Sequence, residues 1–584
     1  MLMESVKPMQ SSLVRPAILS LIAALAFAPV VSEARPHTKP PAAATSVPAV
    51  IAAEPEAAEA GMKVLRRGGT AIDAAVAIQA TLGLVEPQSS GLGGGSFMLY
   101  YDAKTKTTTA YNGREKAPMS ADGKRFLHDD GKPMTYPEAL VSGRATGVPG
   151  AMFMLELAQK DHGKLKWSTL FDDPIALASN GFKVSRRLGN YLQNRDFPEK
   201  HTADFQAYFT DGKGGLLKTG DTLKNPIFAN TLTTIARDGM KAYREGPLAE
   251  AIVAKINEAP LPGGMTLDDL KAYTPEKAES ICLPYRIYVI CEAPSPSGGP
   301  ALLQALKILE QFPVNTWGKD DARSWAAFIE ASRLMYADRD QYQGDPDFVP
   351  VPTGGLLDAG YIKQRAATVT IGTASPAPAF GTPPGAPILA RDKTLEPGGT
   401  SHMVIIDSYG NALTMTTTVE AYFGTGRMAG GFFVNNQLTD FSWTPVTADG
   451  RKAANAVEPG KRPRSAMSPT MIFDKKGKLI ALLGSPGGPG IIAYNLKTIM
   501  GVLDFHLSMQ DAINLPNVVA KGDTIRVEAA LLPPEIRTQL KAMGYKLTEV
   551  EGEESGVHGL LRQPDGSFAG GADKRRNGVV LIGK

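Results

Sequence analysis

Two strand-like runs meeting at a short turn in the last third of this 584-residue chain constrain its fold more than any other stretch. Residues 401–407 and 411–418 have strand patterns rich in β-branched side chains, and Ser408-Tyr409-Gly410 between them carries turn chemistry. That pattern predicts a hairpin. A hairpin symmetric about Tyr409 sets Thr400 opposite Thr418 and brings two hydroxyls within reach of a cross-strand hydrogen bond. A slip of one residue would part them. Gly398 and Gly399 stand directly in front, where paired glycines mark a bulge or a close backbone approach. A flexible loop entering the hairpin is the plain alternative.

A hydroxyl residue behind an unhindered glycine has a chemistry of its own. Thr400 Oγ can attack the Gly399 carbonyl, and an N-to-O acyl shift followed by hydrolysis would leave Thr400 as a new N-terminus. Its freed α-amine, with an unperturbed pKa of ~8, could then act as general base for the neighbouring hydroxyl. This is the N-terminal-threonine version of nucleophilic catalysis. It calls for no metal and no cofactor. The seven histidines are scattered, with neither an HExxH helix nor paired-cysteine zinc spacing. Gly91-Leu92-Gly93-Gly94-Gly95-Ser96 approaches a dinucleotide fingerprint, but a helix precedes it and a strand follows, the reverse of the required order.

The rest of the chain orders itself as sheet elements, helices, an irregular stretch and sheet elements again. Glu54-Pro55 opens a helix in which Ala58, Met62 and Leu65 share a face, and Gly68-Gly69 stops it. Thr70 caps a second helix, with Ile78, Leu82 and Val85 on one face before Pro87. Residues 97–101 form a strand pattern and 107–118 a partner strand. Helical patterns dominate about 150–345. Residues 375–399 are too rich in proline and glycine for a packed element and form a mobile segment. Strand patterns resume at Thr400, with a helical interlude near 491–515. Strands far apart in sequence are therefore expected to share a sheet.

With 62 basic and 59 acidic residues the net charge is +3, which gives no reason to expect a nucleic-acid partner. Lys7 and Arg15 precede an apolar stretch at 17–29, and Ser32-Glu33-Ala34 supplies small residues around a cut, so 1–34 reads as a secretory signal and 35–49 as a mobile leader. The stretch is too short to span a bilayer as a ~20-residue helix; a retained membrane anchor is the competing reading. A periplasmic or secreted location follows, with no membrane span after signal removal. In an oxidising compartment Cys282 and Cys291 would pair if Pro284 and Tyr285 begin a tight reversal between them. Two separate buried thiols remain the alternative.

Several ordered motifs are more specific. GGTSHMVIID, FGTGRMAGGFFVNNQLTDFS, GKRPRSAMSPT and GSPGGPGI resemble the small subunit of the γ-glutamyltransferases (γ-glutamyltranspeptidase, glutathione hydrolase), which are N-terminal-nucleophile hydrolases made as one precursor. YNGREKAP, ATGVPG, APSPSGGP and YADRDQYQGDPDF resemble the large subunit, so the likeness runs from about residue 50 to 584. It implies an αββα sandwich built from a large subunit, 50–399, and a small catalytic subunit, 400–584, held as a heterodimer after a cut between Gly399 and Thr400. It implies Thr400 as nucleophile, Thr418 as its hydrogen-bonding partner, and Gly487 and Gly488 as oxyanion donors. It also implies Arg114 and Ser465 on the substrate α-carboxylate and Gln437 and Asp440 on its α-ammonium. The implied substrates are glutathione or another γ-glutamyl donor and an amino-acid or peptide acceptor.

Four positions depart from the family pattern. Glu420 stands where Asn is common, Ala466 replaces a serine that would touch the carboxylate, and Pro489-Gly490 follow the GSPGG glycines in place of Ser-Arg. The stretch between Asp440 and Ser465 is short for a member with a lid. Two alternatives to a γ-glutamyltransferase stay open: an acylase of the cephalosporin (glutaryl) type, and an inactive homologue acting as a binding module.

Overall fold

The computed structural model describes residues 46–583 except 393, 395–397, 444–445 and 447–449. The expected signal and the leader up to residue 45 lie outside the described residues. So does part of the stretch between Asp440 and Ser465 where a lid would sit.

Local chemistry builds the first elements. Pro55 begins helix Pro55–Arg66, where its missing N–H costs nothing, and the turn at Arg67-Gly68 ends it. Thr70 and Asp73 form a reciprocal capping box on helix Ala71–Val85, every residue of which is buried. The two helices pack through Gly61, where a Cβ would stand 2.5 Å from Ile78 Cδ1. Strand Ala49–Ala52 begins at the last residue of the expected leader.

Two sheets form the centre. A seven-stranded sheet runs in the order Val579–Ile582, Ala49–Ala52, Thr400–Ile406, Ala412–Thr418, Gly95–Asp102, Thr107–Asn112, Glu276–Glu279. A six-stranded sheet runs Phe568–Ala572, His558–Arg562, Leu479–Gly484, Thr470–Asp474, Tyr288–Glu292, Ile281–Tyr285. Each combines strands from before and after residue 400, as expected. The partner strand stops at Asn112, six residues before its expected end, because the chain turns away there and Arg114 N–H donates to Asn112 Oδ1.

The alternation of strand Thr400–Ile406 shows what covers each face. Val404 and Ile406 join a core with Ile472, Leu482 and Leu560 of the six-stranded sheet and with helices Gly299–Leu309, Ala322–Tyr342 and Ile491–Leu503. Met403 and Ile405 join another with helices Pro55–Arg66, Ala71–Val85 and Ala151–His162. The layers are therefore helix, sheet, sheet, helix, the expected sandwich. Among the described residues no helix is long and apolar enough to cross a membrane.

Cys282 and Cys291 are bonded and face each other across the hairpin of Ile281–Tyr285 and Tyr288–Glu292. The reversal falls at Arg286-Ile287, two residues later than expected, with Arg286 at φ 54°. The described residues of 375–399 form no helix or long strand, yet polar contacts tie them down. Gly381 N–H donates to Asp338 (2.8 Å), Tyr342 hydroxyl to Gly381 O (2.7 Å) and Gln341 Nε2 to Leu389 O (2.9 Å).

Candidate active site

The hairpin takes the expected register, with Thr400 directly opposite Thr418. Both side chains share the face that looks toward the second sheet, and both are buried. Thr400 Oγ1 donates to Thr418 Oγ1 at 3.2 Å. Thr418 Oγ1 in turn donates to the carbonyl oxygen of Gly399 at 2.5 Å and accepts from Glu420 N–H at 2.8 Å. A relay of two hydroxyls thus runs from Thr400 to the carbonyl of the residue before it. Glu420 closes the relay from a left-handed conformation, φ 81°, which turns its amide back onto Thr418.

Glycine is required beside this relay. A Cβ on Gly399 would lie 2.3 Å from Glu420 O. Gly398 rests against the Gly487-Gly488 turn, 3.4 and 3.5 Å from Gly487 C and Gly488 N at the position of an added Cβ. Both turn glycines have positive φ, 124° and 55°, so the structure brings GSPGG to the residues that precede Thr400.

A second group surrounds Arg114, which is almost wholly buried. Its Nη2 donates to Asp440 Oδ2 (2.6 Å) and Arg464 O (2.5 Å), and its Nε to Pro463 O (3.1 Å). Gln437 Nε2 bridges Glu420 Oε2 (2.5 Å) and Asp440 Oδ2 (2.7 Å). Burial first, and Asp440 second, hold the Glu420 carboxyl well above the usual carboxylate range. The structure therefore unites Arg114, Glu420, Gln437 and Asp440. Ser465 and Ala466 follow the Pro463-Arg464 carbonyls that Arg114 binds; the Ser465 hydroxyl accepts from Met467 N–H at 3.1 Å.

Sequence reasoning missed a third group, on the helix side of the strand. Ser401 Oγ donates to Glu86 Oε2 (2.5 Å) and lies 2.9 Å from Ser90 Oγ. Arg187 Nη1 donates to Glu86 Oε1 at 2.8 Å, and Arg576 Nη1 to the carbonyl of Thr400 at 2.5 Å. Buried carboxylates are stable when paired in this way. The available signal was the strand's alternation, which aims Ser401 away from Thr400 and toward whatever covers the other face. His402, on the Thr400 face, is occupied elsewhere, its ring nitrogens 2.9 and 3.0 Å from Thr416 and Thr414 hydroxyls. Burial keeps its pKa far below the ordinary value. Among the described residues no three His, Cys, Asp or Glu side chains are grouped to hold a metal ion.

Known proteins share this architecture. The sequence model of the family described as Gamma-glutamyltranspeptidase matches residues 57–583. A glutathione hydrolase proenzyme of Bacillus subtilis (strain 168) is 36% identical over 549 residues, 91% of each chain. One of Escherichia coli (strain K12) is 35% identical over 542 residues, 90% of each chain. Among solved structures, cephalosporin acylase from Bacillus halodurans superposes with a TM-score of 0.81 at 26% identity, covering 94% of this chain and 98% of its own. Helicobacter pylori gamma-glutamyltranspeptidase superposes with a TM-score of 0.53 at 32% identity, covering 59% of this chain and 96% of its own. The chain belongs to the gamma-glutamyltranspeptidase family of enzymes and has the N-terminal-nucleophile hydrolase fold.

Proposed function

We propose that this chain is the precursor of an exported γ-glutamyltransferase and glutathione hydrolase that cuts itself between Gly399 and Thr400. The observation that carries the reading is the hydroxyl of Thr418, which accepts from Thr400 Oγ1 and donates to the Gly399 carbonyl oxygen. The nucleophile's proton has an acceptor, and the carbonyl that it would attack already has a donor.

Maturation then proceeds in two steps. Thr400 Oγ bonds to the Gly399 carbonyl carbon while its proton passes through Thr418, and negative charge builds on the oxygen that Thr418 faces. The amide C–N bond breaks, the amine takes the proton, and an ester links Gly399 to Thr400 Oγ. Water hydrolyses the ester, leaving a Gly399 carboxylate and a free Thr400 amine. The word proenzyme in the names of the Bacillus subtilis and Escherichia coli relatives supports a cleaved precursor. The products are a large subunit ending at Gly399 and a small one of residues 400–584, joined as a heterodimer. The shared sheets keep them together.

In the mature enzyme the Thr400 amine serves as general base for its own hydroxyl, which attacks the γ-carbonyl of the donor. Gly487 and Gly488 N–H groups face the oxyanion. Arg114 and Ser465 receive the donor's α-carboxylate, and Gln437 with Asp440 and Glu420 its α-ammonium. The leaving amine departs with a proton, and water or an amino-acid or peptide acceptor takes the γ-glutamyl group. No cofactor takes part. The apolar segment at 17–29 supports export to the periplasm.

A second reading is a glutaryl acylase, favoured by the superposition on cephalosporin acylase and by Ala466, which removes one carboxylate contact. Hydrolysis of a γ-glutamyl anilide measured beside a glutaryl anilide decides between them. A preference for the glutaryl compound would overturn the γ-glutamyl reading. Thr400→Ala should remain one uncut chain, and cleavage of that variant at the same bond would overturn the autocatalytic step.

A further inference from the structure

Three carboxyl groups and one guanidinium are buried together beside the proposed nucleophile. Glu420, Asp440, Glu115 and Arg114 are each less than a tenth exposed. Arg114 reaches Asp440 through Nη2, while its Nη1 lies 3.9 Å from Glu115 Oε2. If all three acids were ionised, their three negative charges would outnumber the single guanidinium of Arg114. A buried charge without a partner is expensive enough that the group gains a proton or a counter-ion instead.

Donors are short as well as charge. One amide nitrogen, Gln437 Nε2, serves both Glu420 and Asp440. Gln437 Oε1, fully buried at the same place, has no hydrogen-bond partner, and neither does either oxygen of Glu115. The carboxyls of Glu420 and Asp440 meet at Gln437, whose own carbonyl oxygen is left without a donor. An ammonium group offers three N–H donors and one positive charge.

We propose that Glu420 and Asp440 share one proton while the pocket is empty, and that a donor's ammonium group displaces this proton on binding. The proposal rests on the γ-glutamyl reading above and adds a proton to its binding step. In the empty site the Glu420 O–H donates to the Asp440 carboxylate. In the filled site both carboxylates accept from ammonium N–H groups, and the proton passes to water. At the Glu420–Asp440 pair one positive charge enters and one leaves, while the donor's α-carboxylate goes to Arg114.

The surroundings favour a shared proton. Burial and the adjacent Asp440 raise Glu420, while Arg114 and Gln437 act in the opposite direction without reversing the shift. Burial pushes Glu115 up to about 8 despite Arg114. The Tyr136 phenol faces Glu420 from helix Tyr136–Leu140 and stays neutral, held far above its ordinary value by burial and then by Glu420, with Glu199 adding to the effect. Arg464 pairs with Asp392 at 3.2 Å and lies 3.6 Å from Asp340. A glutaryl donor has no ammonium to exchange, so the site discriminates against it most at high pH, once the proton has gone.

The test uses the mature enzyme and L-glutamate as the probe, with glutarate as the control. Binding heats are measured at neutral pH in phosphate and in Tris, whose ionisation enthalpies differ, to count the protons released. Glutamate should release about one proton per site and glutarate none. Glu420→Gln should bind glutamate without release, and the fall of the donor's KM with rising pH, up to about tenfold per pH unit in the wild type, should flatten. Glutamate binding with equal heats in the two buffers would overturn the proposal and leave the γ-glutamyl reading standing. So would full proton release by Glu420→Gln. Binding of glutarate but not glutamate would overturn both.

Discussion

Thr418→Val removes one hydroxyl from the centre of the proposed maturation site and keeps almost everything else. Valine matches the volume of threonine and suits a buried strand, so the pairing of residue 418 with Thr400 should persist. Three contacts disappear: the acceptance from Thr400 Oγ1 at 3.2 Å, the donation to Gly399 O at 2.5 Å and the acceptance from Glu420 N–H at 2.8 Å. Stranding a buried amide costs about 1–3 kcal/mol of stability, which a melting curve reads. The effect on cleavage is separate and larger in kind. Charge develops on Gly399 O only as Thr400 attacks, and losing one donor to such an oxyanion typically costs about 2.7–4 kcal/mol, or 10²–10³-fold in rate. Purified precursor incubated at neutral pH and sampled on denaturing gels should show the uncut chain persisting about a hundredfold longer or more. Thr418→Ser retains the O–H and should mature within about tenfold of the wild type. A folded Thr418→Val precursor that matures at the wild-type rate would refute the relay.

Arg114→Lys keeps the charge and loses the fork that now reaches Asp440 and two backbone carbonyls, so kcat/KM for a γ-glutamyl donor should fall by about thirtyfold or more while the cut at Gly399–Thr400 still occurs. Unchanged KM in a matured Arg114→Lys enzyme would make Arg114 structural. Replacing both Cys282 and Cys291 by serine opens a crosslink nine residues apart at a sheet edge, and chain entropy sets the expected loss at about 2–3 kcal/mol, read by denaturant unfolding with activity retained. Burial pushes Glu199 up to about 8, from 4.5. The folded chain keeps a proton there that the unfolded chain has shed, so stability is full below the lower value and is lost as pH rises through the upper one. Glu199→Gln should therefore melt about 2 °C or more above the wild type at pH 8.5 and level with it near pH 4; equal melting at both would remove the buried carboxyl as a cause.

What was legible in the sequence was short-range. Pro55, the Thr70–Asp73 pair and the turn at Tyr409 act within a few residues, and each produced the expected element. The Thr400–Thr418 register followed because one turn fixes every pair along a hairpin. The cysteine pairing could not be decided from spacing, since it depended on Arg286 adopting a left-handed conformation two residues beyond the expected reversal. Arg114 and Asp440 are 326 residues apart, and no local pattern joins them; the family resemblance supplied that pair. Glu86, Arg187 and Arg576 carry no motif at all. They become meaningful only when helix Ala71–Val85 covers the odd-numbered face of strand Thr400–Ile406 and the chain brings Arg187 to Glu86 and Arg576 to the Thr400 carbonyl.

On the proposed mechanism, that packing would let Thr400 serve first as part of a cleaved peptide and then as a catalyst. Thr400 is held by its pairing with Thr418, by Arg576 on its carbonyl and, one residue on, by Ser401 on Glu86. All of these lie on the downstream side of the Gly399–Thr400 bond or across the sheet from it, so cutting the bond removes none of them. The upstream side is built differently. Gly398 and Gly399 have no side chains to anchor, and Thr418 holds Gly399 by its carbonyl oxygen. Once cleaved, that end can withdraw while the nucleophile stays in place. The space vacated by the Gly399 carbonyl is bounded by Thr418 and by the Gly487-Gly488 turn against Gly398. A donor's γ-carbonyl entering that space meets the groups that faced the peptide carbonyl before it. On the proposed mechanism one oxyanion site serves both reactions, and mutations at Gly487 or Gly488 should slow maturation and turnover together.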